Sequence, residues 1–302
     1  MIGAPRSLVA ALLALGGLCL SATADEAKDS PAGEKFTLRY QFHPGETLRW
    51  EVVHRAKIRT TVSGTTQTAE TVSSSVKVWR VSEVDETGKA TFEHLVDSVD
   101  MSQKLTGRAE VRYNSLADKE PPAGFEQVAA SLGVPLSVIT MDNRGTIIER
   151  RRQQATAATS ESDGQMTIPL PEEPVAVGDT WSLPYDIDVP LPNGTIKKVK
   201  TQQKYSLAKV TDGIAEIEVA TQILTPIHDP AIEAQLIQRE SHGTVKFDTK
   251  AGRVLSQQMD LDRRVVGFRG EASSLHYVTR FTEELVRDEV PKTAVLPKTE
   301  TK

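Results

Sequence analysis

From Leu48 the even-numbered positions read Leu48, Trp50, Val52, His54, Ala56, Ile58, Thr60 and Val62, with Arg49, Glu51, Arg55, Lys57 and Arg59 between them. A period of two held for about fifteen residues excludes an amphipathic helix, and it makes a long strand with one face toward a core and one toward water. Gly64-Thr65-Thr66 is suited to turn this strand. Val76 to Val84 forms a second run, and Asp85-Glu86-Thr87-Gly88 turns the chain into a third, Ala90 to Val99.

A second alternation opens at Trp181 and continues through Leu183, Tyr185, Ile187, Val189 and Leu191. Gly45-Glu46-Thr47 precedes the first alternation and Gly178-Asp179-Thr180 the second, so one offset pairs Leu48 with Trp181 and Trp50 with Leu183. Further blocks recur in the same order: Trp79, Val81 and Val84 with Tyr205, Leu207 and Val210; Ala90 and Phe92 with Ala215 and Ile217; Ile139 and Met141 with Val245 and Phe247. Order, turn glycines and block endings agree, which points to a duplicated unit too long for a solenoid repeat. Each copy has one helix candidate before its last hairpin. In the first, Pro121-Pro122 leads into Phe125, Val128, Ala129 and Leu132; in the second, Asp229 caps, Pro230 takes the first helical position, and Ile232, Leu236 and Ile237 share a face.

The expected fold is therefore mostly β: two related lobes of long, curved antiparallel sheet, half-barrel-like, each with one short amphipathic helix. The expected boundaries are a signal peptide at 1–24, a flexible leader at 25–35, the first lobe at 36–150, a linker at 151–165, the second lobe at 166–285 and a disordered tail at 286–302.

Arg6, the apolar run Leu8 to Leu20, and Ala22 and Ala24 at the small-residue positions before Asp25 have the order of a cleavable export signal. The run is about 13 residues long, short of the roughly 18 a spanning segment needs. The only cysteine, Cys19, lies inside this segment behind Leu18, so lipidation is not the favoured reading. The mature chain then has no cysteine, which excludes disulfides and thiolate chemistry. A chain this long buries a core without such staples, so periplasm, bacterial envelope or extracellular space is the expected location. The net charge is −5 and the basic residues are scattered, which argues against nucleic acid as a partner.

The stretches YQFHPGETLRW from Tyr40, DKEPPAGFE from Asp118 and RVLSQQMDLDRRVVGF from Arg253 resemble an uncharacterised family of exported bacterial proteins. That resemblance covers most of the mature chain and implies no activity, since the family has no assigned function. At the level of architecture alone, long antiparallel strands with one helix per lobe also resemble the half-open barrels of periplasmic lipoprotein carriers such as LolA.

Catalytic signatures are missing from the sequence. There is no Gly-x-Ser-x-Gly, no His-Glu-x-x-His, no phosphate-binding glycine loop and no dinucleotide fingerprint. Ser273 and Ser274 near His276 are the nearest serine and histidine neighbours, but proximity in sequence is not triad geometry. Asp186 with Asp188, and Asp260 with Asp262, each share a strand face, which reads as solvated surface since no calcium loop accompanies them. His54 and His94 fall on apolar faces, where a metal or base site is the alternative to a satisfied core histidine. Their aligned partners, Ile187 and Val219, favour the core. No cofactor is expected. The function read from the sequence is a non-catalytic exported binder of an apolar molecule or lipid in the concave sheet, with Trp50 and Trp181 as candidate ligand contacts. A structural or protein-interaction component of the envelope is the alternative, and a hydrolase a distant third.

Overall fold

The computed structural model describes residues 33–153 and 167–286. The export signal, most of the expected leader and linker, and nearly all of the tail lie outside the described residues. In chain order the elements are β1 (Lys35–Phe36), β2 (Thr47–Val62), β3 (Thr65–Val84), β4 (Ala90–Leu105), β5 (Val111–Asn114), α1 (Glu126–Ser131), β6 (Ser137–Met141) and β7 (Ile147–Arg152). They are followed by β8 (Val175–Ala176), β9 (Thr180–Pro190), β10 (Ile196–Thr211), β11 (Ile214–Ile223), α2 (Pro230–Leu236), β12 (His242–Asp248), β13 (Arg253–Val266) and β14 (Ser273–Leu285). The fold is mostly β, with two related lobes and few short helices.

Eleven strands form one antiparallel path, β7-β6-β4-β3-β2-β14-β13-β12-β11-β10-β9, with β5 added beside β4. Apart from β1 and β8, which pair with each other in a separate two-stranded ladder, the strands of the first lobe lie on one side of the β2–β14 seam and those of the second on the other. The lobes are therefore halves of one continuous sheet and not two separate sheets. That seam is thirteen residue pairs long, from Ser273↔Val62 to Leu285↔Trp50. Among the described residues the path does not close, and β7 and β9 are its free edges.

Each half runs through three hairpin-linked strands, a helix and a further hairpin. The match extends to irregularities. The β3–β4 ladder slips between Val81 and Glu83 and the β10–β11 ladder between Leu207 and Lys209; β6–β7 slips at Thr140/Met141 and β12–β13 at Lys246/Phe247. The entry to each lobe is tied alike. Gly45 N–H donates to the Val81 carbonyl and Val81 N–H to Glu46, as Gly178 does to Leu207 and Leu207 to Asp179. Bulges increase twist, so slips at matched positions bend both halves of the sheet alike.

The first half of the inner face is filled. Trp50 and Trp79 meet at 4.8 Å, Trp79 stacks on Phe92 at 4.4 Å, and Trp181 stacks on Tyr205 at 5.6 Å. The extended segment carrying Leu38, Tyr40 and Phe42 runs between the lobes. Tyr40 N–H donates to Asn143 of one, Gln41 N–H to Gly252 of the other, and the Tyr40 ring packs edge-on against Phe247 at 5.4 Å. Burial holds the Tyr40 hydroxyl far above its ordinary titration range, and it donates to the Ile168 carbonyl at 3.0 Å. Ile168 and Leu170 cross the opposite way, with Leu170 N–H on Arg144. Gly145 and Gly252 sit under these crossings at φ +87° and +61°. A Cβ would lie 2.7 Å from the Ile168 carbonyl at Gly145 and 2.6 Å from the Gln41 nitrogen at Gly252, so neither position admits a side chain.

Several strands exceed the expected bounds. β3 begins at Thr65 and not Val76, β4 continues to Leu105, and β7 reaches Arg152, two residues into the segment expected as linker. Thr65 to Ser75 is mostly Thr and Ser, whose β-branched and hydroxyl side chains suit cross-strand pairs without an apolar alternation to betray them. Both helices form. In α2 the Asp229 carboxylate accepts from Ala231 N–H at 2.8 Å and Pro230 opens the helix. α1 packs Phe125, Val128, Ala129 and Leu132 over Val99 and Tyr113, and α2 packs Ile232 and Leu236 on Val189 and Val199.

Candidate functional site

Along β2 the inner face keeps its apolar character while its burial falls away. Leu48 and Trp50 are 7% and 3% exposed, Val52, His54 and Ala56 are half-buried, and Ile58 is 38% exposed. Directly opposed residues of an antiparallel pair share a face, so β14 continues the surface with Phe281 beside His54, Thr279 beside Ala56 and Tyr277 beside Ile58. From Val52 to Val62 this open surface extends about 33 Å, at roughly 3.3 Å per residue.

At the boundary between the packed and open halves lies a void of about 400 Å³. Val52, Met259 and Phe281 form its apolar wall; Lys77, Glu283, Gln257, Gln203 and His94 form its polar floor. Lys77 Nζ sits 2.5 Å from Glu283 Oε1, with side chains 12% and 6% exposed, and Gln257 donates to Glu283 Oε2 at 3.0 Å. The ammonium lies over the rings of Trp50 at 4.6 Å and Trp79 at 4.9 Å, an arrangement that stabilises a desolvated cation. A slip between Val76 and Lys77 aims this side chain, and the corresponding part of the β10–β11 ladder has none. Gln203, which occupies the matched position in the second lobe, accepts from the Tyr205 hydroxyl at 2.7 Å.

His94 is held neutral. Burial, and then the nearby Lys77 and Arg150 cations, lower its pKa from 6.5 to about 3. Burial also lowers His54, whose Nε2 lies 2.8 Å from Thr279 Oγ1. Among the described residues no three His, Cys, Asp or Glu side chains gather as metal ligands.

A second void of about 620 Å³ adjoins the first, with Gln203 and Ser241 in both walls. It is lined by Ile147 of β7 and by Leu183, Tyr185 and Ile187 of β9, so the two free edges of the sheet face one another across it.

Trp50 and Trp181 lie one layer behind these voids. Trp50 donates from Nε1 to the Val254 carbonyl at 3.3 Å, and the space beside it is about 10 Å³. Trp181 donates to Pro169 at 2.7 Å and backs Tyr205, which itself lines the void of about 400 Å³. Lys77, Gln203, Gln257 and Glu283 went unrecognised in the sequence. The available signal was a charge in the apolar phase of a strand: Lys77 alternates with Trp79 and Val81, and Glu283 with Phe281 and Leu285. Their pairing across 206 residues was not legible.

The other candidates are structural or surface groups, Ser273 being buried and the rest lying on the outside. Ser273 donates to Gly270 at 2.7 Å and accepts from Arg269 N–H at 2.8 Å, which holds a turn, and it lies on the opposite face of β14 from His276. His276 pairs with Asp262 at 2.7 Å, and Asp260 with Arg280 at 2.6 Å. Asp186 and Asp188 are exposed, the latter 3.6 Å from Lys198.

Among solved structures, the chain is similar to lipovitellin at 11% identity and a TM-score of 0.42, covering 82% of this chain and 26% of that one. The chain thus spans about a quarter of the lipovitellin chain's length. It is also similar to DynF of the dynemicin biosynthesis pathway of Micromonospora chersina (6% identity, TM-score 0.21, 86% and 89% covered). A third likeness is to the translocator domain of the autotransporter NalP from Neisseria meningitidis (10%, 0.19, 80% and 89%). No curated protein matches the chain. Residues 152–254, from the end of β7 into β13, match the model of a family of unknown function, DUF6263, so the resemblance that is established is to an uncharacterised family.

Proposed function

We propose that the protein is an exported, non-catalytic carrier that holds one amphipathic molecule inside the half-barrel, its polar end on the Lys77–Glu283 floor and its chain along β2 and β14. The observation that carries this reading is the inner face of those two strands, where Val52, Ala56, Ile58 and Val62 of β2 and Phe281, Tyr277 and Leu275 of β14 continue the apolar phase past the packed residues Leu48 and Trp50 and are left half-buried to exposed. A surface whose function was only to fill a core has no reason to run on past that core. Burying each methylene there contributes about 0.8 kcal/mol, so ten of them offer roughly 8 kcal/mol before the costs of association.

The edges support a carrier over a component that recruits other chains by strand addition. β9 carries Pro184 and Pro190, and β7 ends in Arg150-Arg151-Arg152, devices that blunt an exposed edge. Among the described residues no helix is long and apolar enough to cross a membrane.

Titration with N-phenyl-1-naphthylamine, an uncharged apolar dye, tests the reading. The expected result is saturable binding at one site per chain, displaced by long-chain amphiphiles and lost in Phe281→Glu while the far-ultraviolet spectrum is unchanged. Absence of saturable binding, or equal binding by Phe281→Glu, contradicts it.

A further inference from the structure

We propose that this interior site selects an uncharged hydrogen-bonding head group, such as the hydroxyl of a long-chain alcohol or the amide of a fatty amide, and rejects an ionised carboxylate or phosphate. The inference rests on the carrier reading and adds the class of ligand.

The charge on the floor is already matched. Lys77 has its ammonium against Glu283 on one side and on the Trp50 and Trp79 rings on the other, and the second Glu283 oxygen is taken by Gln257. An incoming anion meets no unmatched cation here and is placed beside the Glu283 carboxylate; an incoming cation meets Lys77 in the same way. Burying either charge without a partner costs several kcal/mol, which a chain of ordinary length does not recover. The neighbouring void offers an anion nothing better, since its charged lining is Asp186, Asp188 and Arg239. Arg150, which is close enough to act on His94, lines neither void. What the lining does provide is neutral donors and acceptors: the Gln203 amide, whose oxygen accepts from Tyr205 and whose NH2 donates, the Ser241 hydroxyl and the uncharged His94 ring. A hydroxyl or amide both donates and accepts, and it is the head group that such a set satisfies.

The test compares decanol, decanoate and decylammonium as competitors of the bound dye at pH 7.5, below their aggregation limits. For the wild-type chain decanol is expected to compete at least tenfold more tightly than either ion. Glu283→Gln leaves the Lys77 charge unmatched and is expected to reverse the order of decanol and decanoate. Lys77→Gln leaves Glu283 unmatched and is expected to favour decylammonium, which keeps the test intact if one variant fails to fold. Wild-type protein that takes decanoate as well as decanol overturns the head-group inference and leaves the carrier reading standing. Wild-type protein that binds none of the three overturns both. A folded variant whose preference stays with decanol shows that this ion pair does not set the selection, and overturns the assignment.

Discussion

An ammonium between a carboxylate and two indole rings is stable only while every partner is present. Glu283→Ala leaves Lys77 buried and unmatched, and the expected loss is about 3 to 5 kcal/mol of unfolding free energy by urea titration. Replacing both partners, Lys77→Met with Glu283→Leu, removes the charge and its desolvation together, and is expected to restore stability to within about 1 kcal/mol of wild type while changing head-group preference. His94 gives the fold a pH dependence of known sign. Its folded pKa, about 3, lies below the unfolded value of 6.5, so the unfolded chain binds the proton first. Its contribution is fully present above pH 6.5 and is lost as pH falls toward 3, at up to about 1.4 kcal/mol per pH unit. Thermal melts between pH 7 and 4 are expected to show this loss, and His94→Val, which installs the residue type found at the matched Val219, is expected to flatten that part of the profile. At this scale the sequence was legible where residues follow the pattern, as His54 and His94 do. It was opaque where they break it, because Lys77 reads as a surface lysine until β14 is known to pass nearby.

The strands that carry the site follow from alternation in one part and from composition in another. β2 could be read directly, whereas the first half of β3 could not, because Thr65 to Ser75 carries few large apolar residues to mark its inward face. That absence also leaves the trough open: Ala69, Thr71, Ser73 and Ser75 stand opposite Ile58, Ala56, His54 and Val52 and are too small to fill the space above them. The helices flank the trough, and the cap of α2 was visible in advance. Asp229→Ala removes the acceptor for Ala231 N–H, and the expected cost is about 1 kcal/mol, read from the midpoint of denaturation. α2 is also tied to the sheet by Glu233 on Arg263 at 3.3 Å, an exposed pair that adds little.

For the molecule as a whole, the repeat seen in the sequence is the repeat of the sheet, down to the slips at Val81 and Leu207. The way the halves join could not be read. β14 has no counterpart in the first lobe, and it makes the seam and supplies Glu283, so the site exists only where the two copies meet. The shared core, the crossing segments at Tyr40 and Ile168 and the Arg253–Glu46 pair at 3.3 Å make one body of both lobes. The central claim is that the open half of the inner face between α1 and α2 holds a chain. A long-chain alcohol with a diazirine at its far end, photolysed in the complex and mapped by peptide mass spectrometry, tests this most directly. Adducts are expected on inner residues of β2 and β14, at Ile58, Thr60, Leu275 and Tyr277, and to disappear with Phe281→Glu. Adducts confined to the outer face or spread over the surface would contradict the account.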